Sequence, residues 1–248
     1  MKRIFVPTGL TTCLLLTILP VIGQQKPIKA DPNEITNSRV WKVVNREAMV
    51  VETGGRRAIR FDEKPGQGIA WLADTNFDVG TIELEIKGKN AYQKSFVGVA
   101  FRGVDAKTYD LIYFRPYNFK SDDPEHRNHA VQYVSHPDKN WEQLRSEKSG
   151  VYEKAIEPVP DPNDWFITRI VLADRKVSVY INNATEPCLE TTELSERTGG
   201  WVGLWVGEGS GGMFANLKIT PPKKAENGNK IIRLGGTLKE KVKSIPRP

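Results

Sequence analysis

The sequence predicts an all-β fold, a two-sheet antiparallel jelly-roll sandwich, on three observations. Thr168–Leu172 and Val177–Ile181 alternate apolar and polar residues on either side of the turn Ala173-Asp174-Arg175-Lys176. That period of two puts one face of each strand on a core and marks a β-hairpin. A glycine-rich strand from Trp201 and a last strand, Phe214–Ile219, follow it. Short strand-like segments then recur along the whole body, with little helical patterning between them, which is the signature of one sandwiched core.

The segments can be read in order. Val40–Val44 and Ala48–Glu52 open the sandwich; Gly54-Gly55 turns the chain into Ala58–Phe61, and Ile69–Leu72 follows. Thr81–Lys87, Phe96–Arg102, Tyr109–Phe114 and Ala130–Ser135 lead to the hairpin. Lys64-Pro65-Gly66, Val79-Gly80 and Arg115-Pro116 punctuate them, because glycine and proline break strands. Helix is expected only at Asn140–Ser146 and Thr192–Arg197. There is no internal repeat and no second domain.

The ends of the chain read differently from its body. Lys2 and Arg3 precede an apolar stretch, Leu10–Ile22, and Val21-Ile22-Gly23 suits signal peptidase, so residues 1–23 read as a secretory signal peptide cut after Gly23. The mature chain is then exported, periplasmic or extracellular, with no further membrane segment and a lead-in over residues 24–40. Only Cys188 of the two cysteines remains, so burial rather than a disulfide must hold the fold. The formal charge is +6, yet residues 24–220 carry 26 basic against 28 acidic groups. The basicity sits in residues 221–248, read as a flexible tail able to touch an acidic surface. No helix-turn-helix, zinc spacing or basic-aromatic strand motif points to nucleic acid.

Together, W-K-V-V-N-R-E-A-M-V-V (Trp41–Val51), G-T-I-E-L-E-I-K (Gly80–Lys87), V-G-V-A-F-R-G (Val97–Gly103), H-A-V-Q-Y-V (His129–Val134), W-F-I-T-R-I-V (Trp165–Val171), V-S-V-Y-I-N-N (Val177–Asn183), G-W-V-G-L-W-V (Gly200–Val206) and F-A-N-L-K-I (Phe214–Ile219) carry a resemblance. In order and spacing they resemble the 3-keto-disaccharide hydrolase domain family of the concanavalin A-like lectin/glucanase superfamily, which also holds laminin G-like modules. The likeness spans Trp41–Thr220. It implies a concanavalin A-like jelly roll and glycoside cleavage, of 3-keto-disaccharides or related glycosides.

Two sets of residues could act on a sugar. Glu83 and Glu85 share one face of a strand, about 7 Å apart, a separation that inverting glycosidases use. Laminarinase-like relatives extend such a pair to a third acid, where this chain has Gly88, and a wet outer sheet face explains the pair as well. The denser set is Arg102, Arg115, Asn118, His129, Gln132, Tyr133, His136 and Trp141, with Gln132 and His136 on one strand face. Planar guanidinium and amide groups suit sugar hydroxyls, and aromatic faces suit the C–H side of the ring. Trp201 and Trp205 share parity and are expected to fill the core or line a groove, core being the safer reading.

Other chemistries find less support. His126 and His129 with Asp122, Asp123 and Glu125 form no metal motif of fixed spacing, and Pro124 argues for a loop. Calcium at Asp122 and Asp123, which laminin G-like relatives often carry, lacks the six to eight oxygens it takes. No metal or cofactor is assigned. Gly209-Ser210-Gly211 is no nucleophile elbow, and Gly207–Gly212 precedes a strand, so it offers no helix N-terminus to phosphate. The expected function is an exported carbohydrate-binding domain with its ligand in a concave groove; the alternative is a glycoside hydrolase.

Overall fold

The computed structural model describes residues 26–222, so the signal peptide and all but the first two residues of the basic tail lie outside the described residues. The strands are β1 (Ile28–Lys29), β2 (Trp41–Val44), β3 (Ala48–Thr53), β4 (Arg56–Phe61), β5 (Gly68–Leu72), β6 (Gly80–Lys87), β7 (Val97–Gly103), β8 (Tyr109–Phe114), β9 (Val131–His136), β10 (Glu153–Lys154), β11 (Phe166–Ala173), β12 (Lys176–Ile181), β13 (Leu189–Thr192), β14 (Trp201–Val206) and β15 (Gly212–Thr220). One antiparallel sheet runs β13-β12-β11-β6-β15-β4-β3, with β1 also on β15; the other runs β10-β9-β8-β7-β14-β5-β2. The fold is the all-β sandwich that the alternating segments predict.

The core lies between the sheets, and strand parity decides what enters it. Ile82, Leu84 and Ile86 of β6 are buried, while Thr81, Glu83, Glu85 and Lys87 are not. Phe114 of β8 meets Phe166 of β11 edge-on at 5.1 Å, joining the two sheets. Each such aliphatic or aromatic side chain, fully buried, contributes roughly 1.5–3 kcal/mol. The β11–β12 hairpin closes on Ala173↔Lys176, with Asp174 and Arg175 both at positive φ. A two-residue turn of that hand matches the twist of its strands.

Among the described residues, helix is confined to α1 (Pro116–Phe119), α2 (Pro124–Arg127), α3 (Trp141–Lys148) and a 3-10 turn at Pro32–Thr36. Two expectations need correction. Thr192–Arg197 is not helical: β13 ends at Thr192, and Glu193, Ser195 and Arg197 send polar side chains to partners on β7 and β8. Pro124 starts a helix rather than a loop. At the first helical position its missing N–H and fixed φ cost nothing, and Asp123 caps the turn through the Glu125 N–H at 2.8 Å.

Candidate functional site

On the outward face of the second sheet, the pairing register sets Trp205, Gly98, Tyr113, Gln132 and Glu153 in one row across β14, β7, β8, β9 and β10. Gly98 has no side chain, so the rings on either side meet over it, Trp205 and Tyr113 lying 5.4 Å apart. The Trp205 indole donates to Gln67 Oε1 at 3.0 Å and to the Tyr109 hydroxyl at 3.3 Å, and that hydroxyl donates to Gln67 at 2.6 Å. These bonds fix the rings as a floor.

Two adjoining cavities open on that floor, of about 400 and 260 Å³, sharing Phe96, Tyr113, Trp141 and Glu208 in their walls. The larger is walled by Tyr92, Tyr117, Arg115, Asn118, His129 and Arg145, the smaller by Gln67, Leu111, Val134, His136 and Trp205. Helix α3 forms a rim. Asn140 caps it by accepting from the Gln143 N–H at 2.9 Å, buried Leu144 anchors it, and Trp141 is left 41 % exposed. The Arg145 guanidinium lies over the Trp141 ring at 4.8 Å.

The polar end of the floor is built around two arginines. Arg115 donates to the His129 carbonyl (2.7 Å), the Tyr113 hydroxyl (2.6 Å) and Gln132 Oε1 (2.9 Å), and lies over the Tyr113 ring. Arg145 forms a two-point pair with Glu153, at 2.9 and 2.7 Å, and His129 Nδ1 stands 2.8 Å from the same carboxylate. Burial holds His129 below the ordinary histidine range; Glu153 pulls the other way, and Arg145 and Arg115 add to the lowering. Burial pushes the Tyr117 hydroxyl up to about 12, so this phenol stays neutral at any physiological pH.

His136 is also held low, by burial and then by Arg197, against a smaller opposite pull from Asp110. An unfolded chain binds protons at these two histidines that the folded one refuses. Their contribution to stability is therefore present above the ordinary value of 6.5 and is lost as pH falls below it. Thermal melts should show that loss, and His136→Gln should flatten it. A wild type equally stable on both sides of 6.5 would contradict the expectation.

The structure brings together Arg115, Asn118, His129, Gln132, His136 and Trp141. It separates the others. Tyr133 faces the core, stacked on Phe101 at 6.0 Å. Arg102 is 2 % exposed and bonds Glu193 Oε1 (2.7 Å) and Asp78. A β-bulge opposite Trp201–Gly203 and a left-handed φ of 50° at Arg102 break the parity that would have faced it outward. Glu83 and Glu85 stand on the outer face of the opposite sheet. Lys218 pairs with Glu83 at 3.1 Å, while Arg56 and Asn216 hold Glu85. They do not share a site with the aromatic floor.

Trp205 is 5 % exposed and packs with the core cluster, and it is also the centre of that floor, so it meets both the core and the groove expectation. Gly207 beside it is the available signal, since a Cβ there would stand 3.0 Å from the indole ring. Arg145, absent from the expected set, follows Trp141 by four residues, the spacing at which helical side chains meet. Among the described residues, no three His, Cys, Asp or Glu side chains converge as metal ligands.

The fold is shared with known sugar-related structures. A carbohydrate-binding module, CBM66 from Bacillus subtilis, superposes with a TM-score of 0.51 at 16 % identity, over 73 % of this chain and 96 % of that one. A Bacillus subtilis protein described as having a galectin-like fold gives 0.53 at 10 %, over 80 and 97 %. The exoplasmic/lumenal domain of VIP36 in its Ca2+/Man3GlcNAc-bound form gives 0.51 at 12 %, over 77 and 89 %. This is the lectin-type jelly roll. No protein-family model matches the chain, and no curated protein matches it in sequence. At such identities the likeness concerns the fold alone.

Proposed function

We propose that the chain is an exported carbohydrate-binding module whose glycan lies in the hollow over Trp205 and Tyr113. The observation that carries this reading is the aromatic pair set beside planar polar groups (Gln67, Arg115, His129, Arg145) in two adjoining cavities. A sugar needs both kinds of surface, because its C–H face seeks apolar cover while its hydroxyls must be hydrogen-bonded once dehydrated. The structural neighbours, a carbohydrate-binding module and a domain bound to Man3GlcNAc, support the ligand class. The charged start and apolar run of residues 1–23 support export, which N-terminal sequencing of secreted protein tests by returning Gln24 or Met1.

A second reading, cleavage of 3-keto-disaccharides or other glycosides, draws on the sequence resemblance and on the likeness in fold to a native glycosidic hydrolase, at TM-score 0.51 and 14 % identity. It would place the chemistry on Glu208, which lines both cavities, with Glu153 buried behind the floor, rather than on Glu83 and Glu85. Against it, Glu153 is engaged by two cationic or proton-donating partners and Glu208 accepts from the Gly66 N–H at 2.8 Å.

A glycan array followed by calorimetry tests the binding reading. Exposed Trp141→Ala should weaken a bound oligosaccharide by roughly tenfold, the loss of one aromatic face. Glu83→Gln and Glu85→Gln should leave affinity unchanged. Binding that survives Trp141→Ala and Trp205→Phe but fails in the Glu83 and Glu85 variants would move the site to the other sheet. Turnover of a 3-keto-glycoside that vanishes in Glu208→Gln would establish the second reading.

A further inference from the structure

We infer that the glycan held in this hollow carries an acidic group, a carboxylate or a sulfate ester, which sits against Arg115. The inference rests on the carbohydrate reading above and names the substrate class within it. Its basis is the pairing of one buried arginine in the floor. Arg115 is 6 % exposed, yet its three bonds go to a carbonyl, a phenol and an amide oxygen, none of them charged. Its Nε–H has no acceptor among the described residues. The nearby carboxylate, Glu153, is already shared by Arg145 and His129.

Other ionisable groups also face this end: Glu125 acts on Arg145, and Glu208 lines the cavity, but neither bonds Arg115. His129 is held in its neutral form by burial, and Tyr113 and Tyr117 are pushed above the ordinary tyrosine range. Glu208, on the far wall, binds the Gly66 N–H and faces Arg46, a second buried guanidinium bonded to the carbonyls of Asn45, Gly66 and Gly207. So Arg115 holds no carboxylate of its own beside a cavity of about 400 Å³. Gln132 adds an unpaired donor: it is fully buried, its oxygen is turned to Arg115, and its Nε2 has no partner. A buried guanidinium bonded to neutral acceptors alone is complementary to an anion. Buried charges persist where something pairs them, and the open side of Arg115 faces the cavity.

The test compares oligogalacturonate, its carboxyl-reduced neutral counterpart and a sulfated galactan oligomer, titrated calorimetrically into the full chain. One acidic series should bind at least about tenfold more tightly than the neutral one, and which of the two does so distinguishes carboxylate from sulfate. Arg115→Met should erase that difference, and Arg115→Lys should keep part of it. The basic tail would attract polyanions too, but that attraction is insensitive to Arg115. Thermal shift of the wild type by galacturonate against galactose gives the same comparison if the variants fold poorly. Equal affinity for acidic and neutral oligomers, or a preference untouched in Arg115→Met, would overturn the inference and leave the carbohydrate reading standing. Failure of acidic and neutral glycans alike to bind would overturn both.

Discussion

Replacing Asp110 by alanine should destabilise the fold by about 3–5 kcal/mol, among the largest losses of any single substitution in the chain. Asp110 is 0 % exposed and points inward from β8. It accepts from the Arg197 guanidinium (2.6 Å), the Ser195 hydroxyl (2.7 Å) and the Tyr133 hydroxyl (3.2 Å), and lies 4.0 Å from Arg102. Arg197 can turn to water once its partner is gone. Arg102, 2 % exposed, cannot, and the Tyr133 hydroxyl loses its acceptor inside the sandwich. Burial and then the Asp110 charge raise the Tyr133 hydroxyl, so it remains a donor throughout. Asp110→Asn keeps the shape but not the charge and should cost less. A denaturant midpoint showing less than about 1 kcal/mol lost in Asp110→Ala would mean that these polar groups find other partners.

The same network shows where reading the sequence succeeds and where it stops. Period-two patterning assigns strands over Thr81–Lys87 and the 168–181 hairpin because one buried face imposes alternation, whereas Tyr109–Phe114, buried on both faces, is legible as a short apolar run between turn signals. It also places Gln132 and His136 on one face, as the register of β8 and β9 has them. Arg102 defeats it, since a single extra residue in β7 turns the next side chain inward, and nothing in V-G-V-A-F-R-G announces a bulge. Glu83 and Glu85 are read correctly as outward, but alternation cannot say which sheet a strand joins. That choice depends on long-range pairing of β6 with β11 and β15. The short pieces β10 and β13 escape notice because two to four residues carry too little pattern.

Gly98→Ala should disrupt the aromatic floor more than any conservative change of a charged residue. An added Cβ would stand 2.3 Å from the Ile112 carbonyl oxygen and 2.7 Å from Tyr113 Cα, and backbone atoms cannot swing aside as a side chain can. β7 and β8 would have to part, at a cost of about 1–3 kcal/mol, as for other overpacked sites. Because Trp205 and Tyr113 meet across this residue, the same displacement breaks their contact and should lower glycan affinity by roughly tenfold or more. Gly55→Ala is the matched control. Gly55 sits at φ 72° with open space around it, so alanine there costs about 1–2 kcal/mol of backbone strain without touching the floor. Denaturant melts and calorimetry on both variants separate the two effects. If Gly98→Ala binds glycan as the wild type does, while losing stability like Gly55→Ala, the Trp205–Tyr113 pair is packing for the sheet and the sugar lies elsewhere.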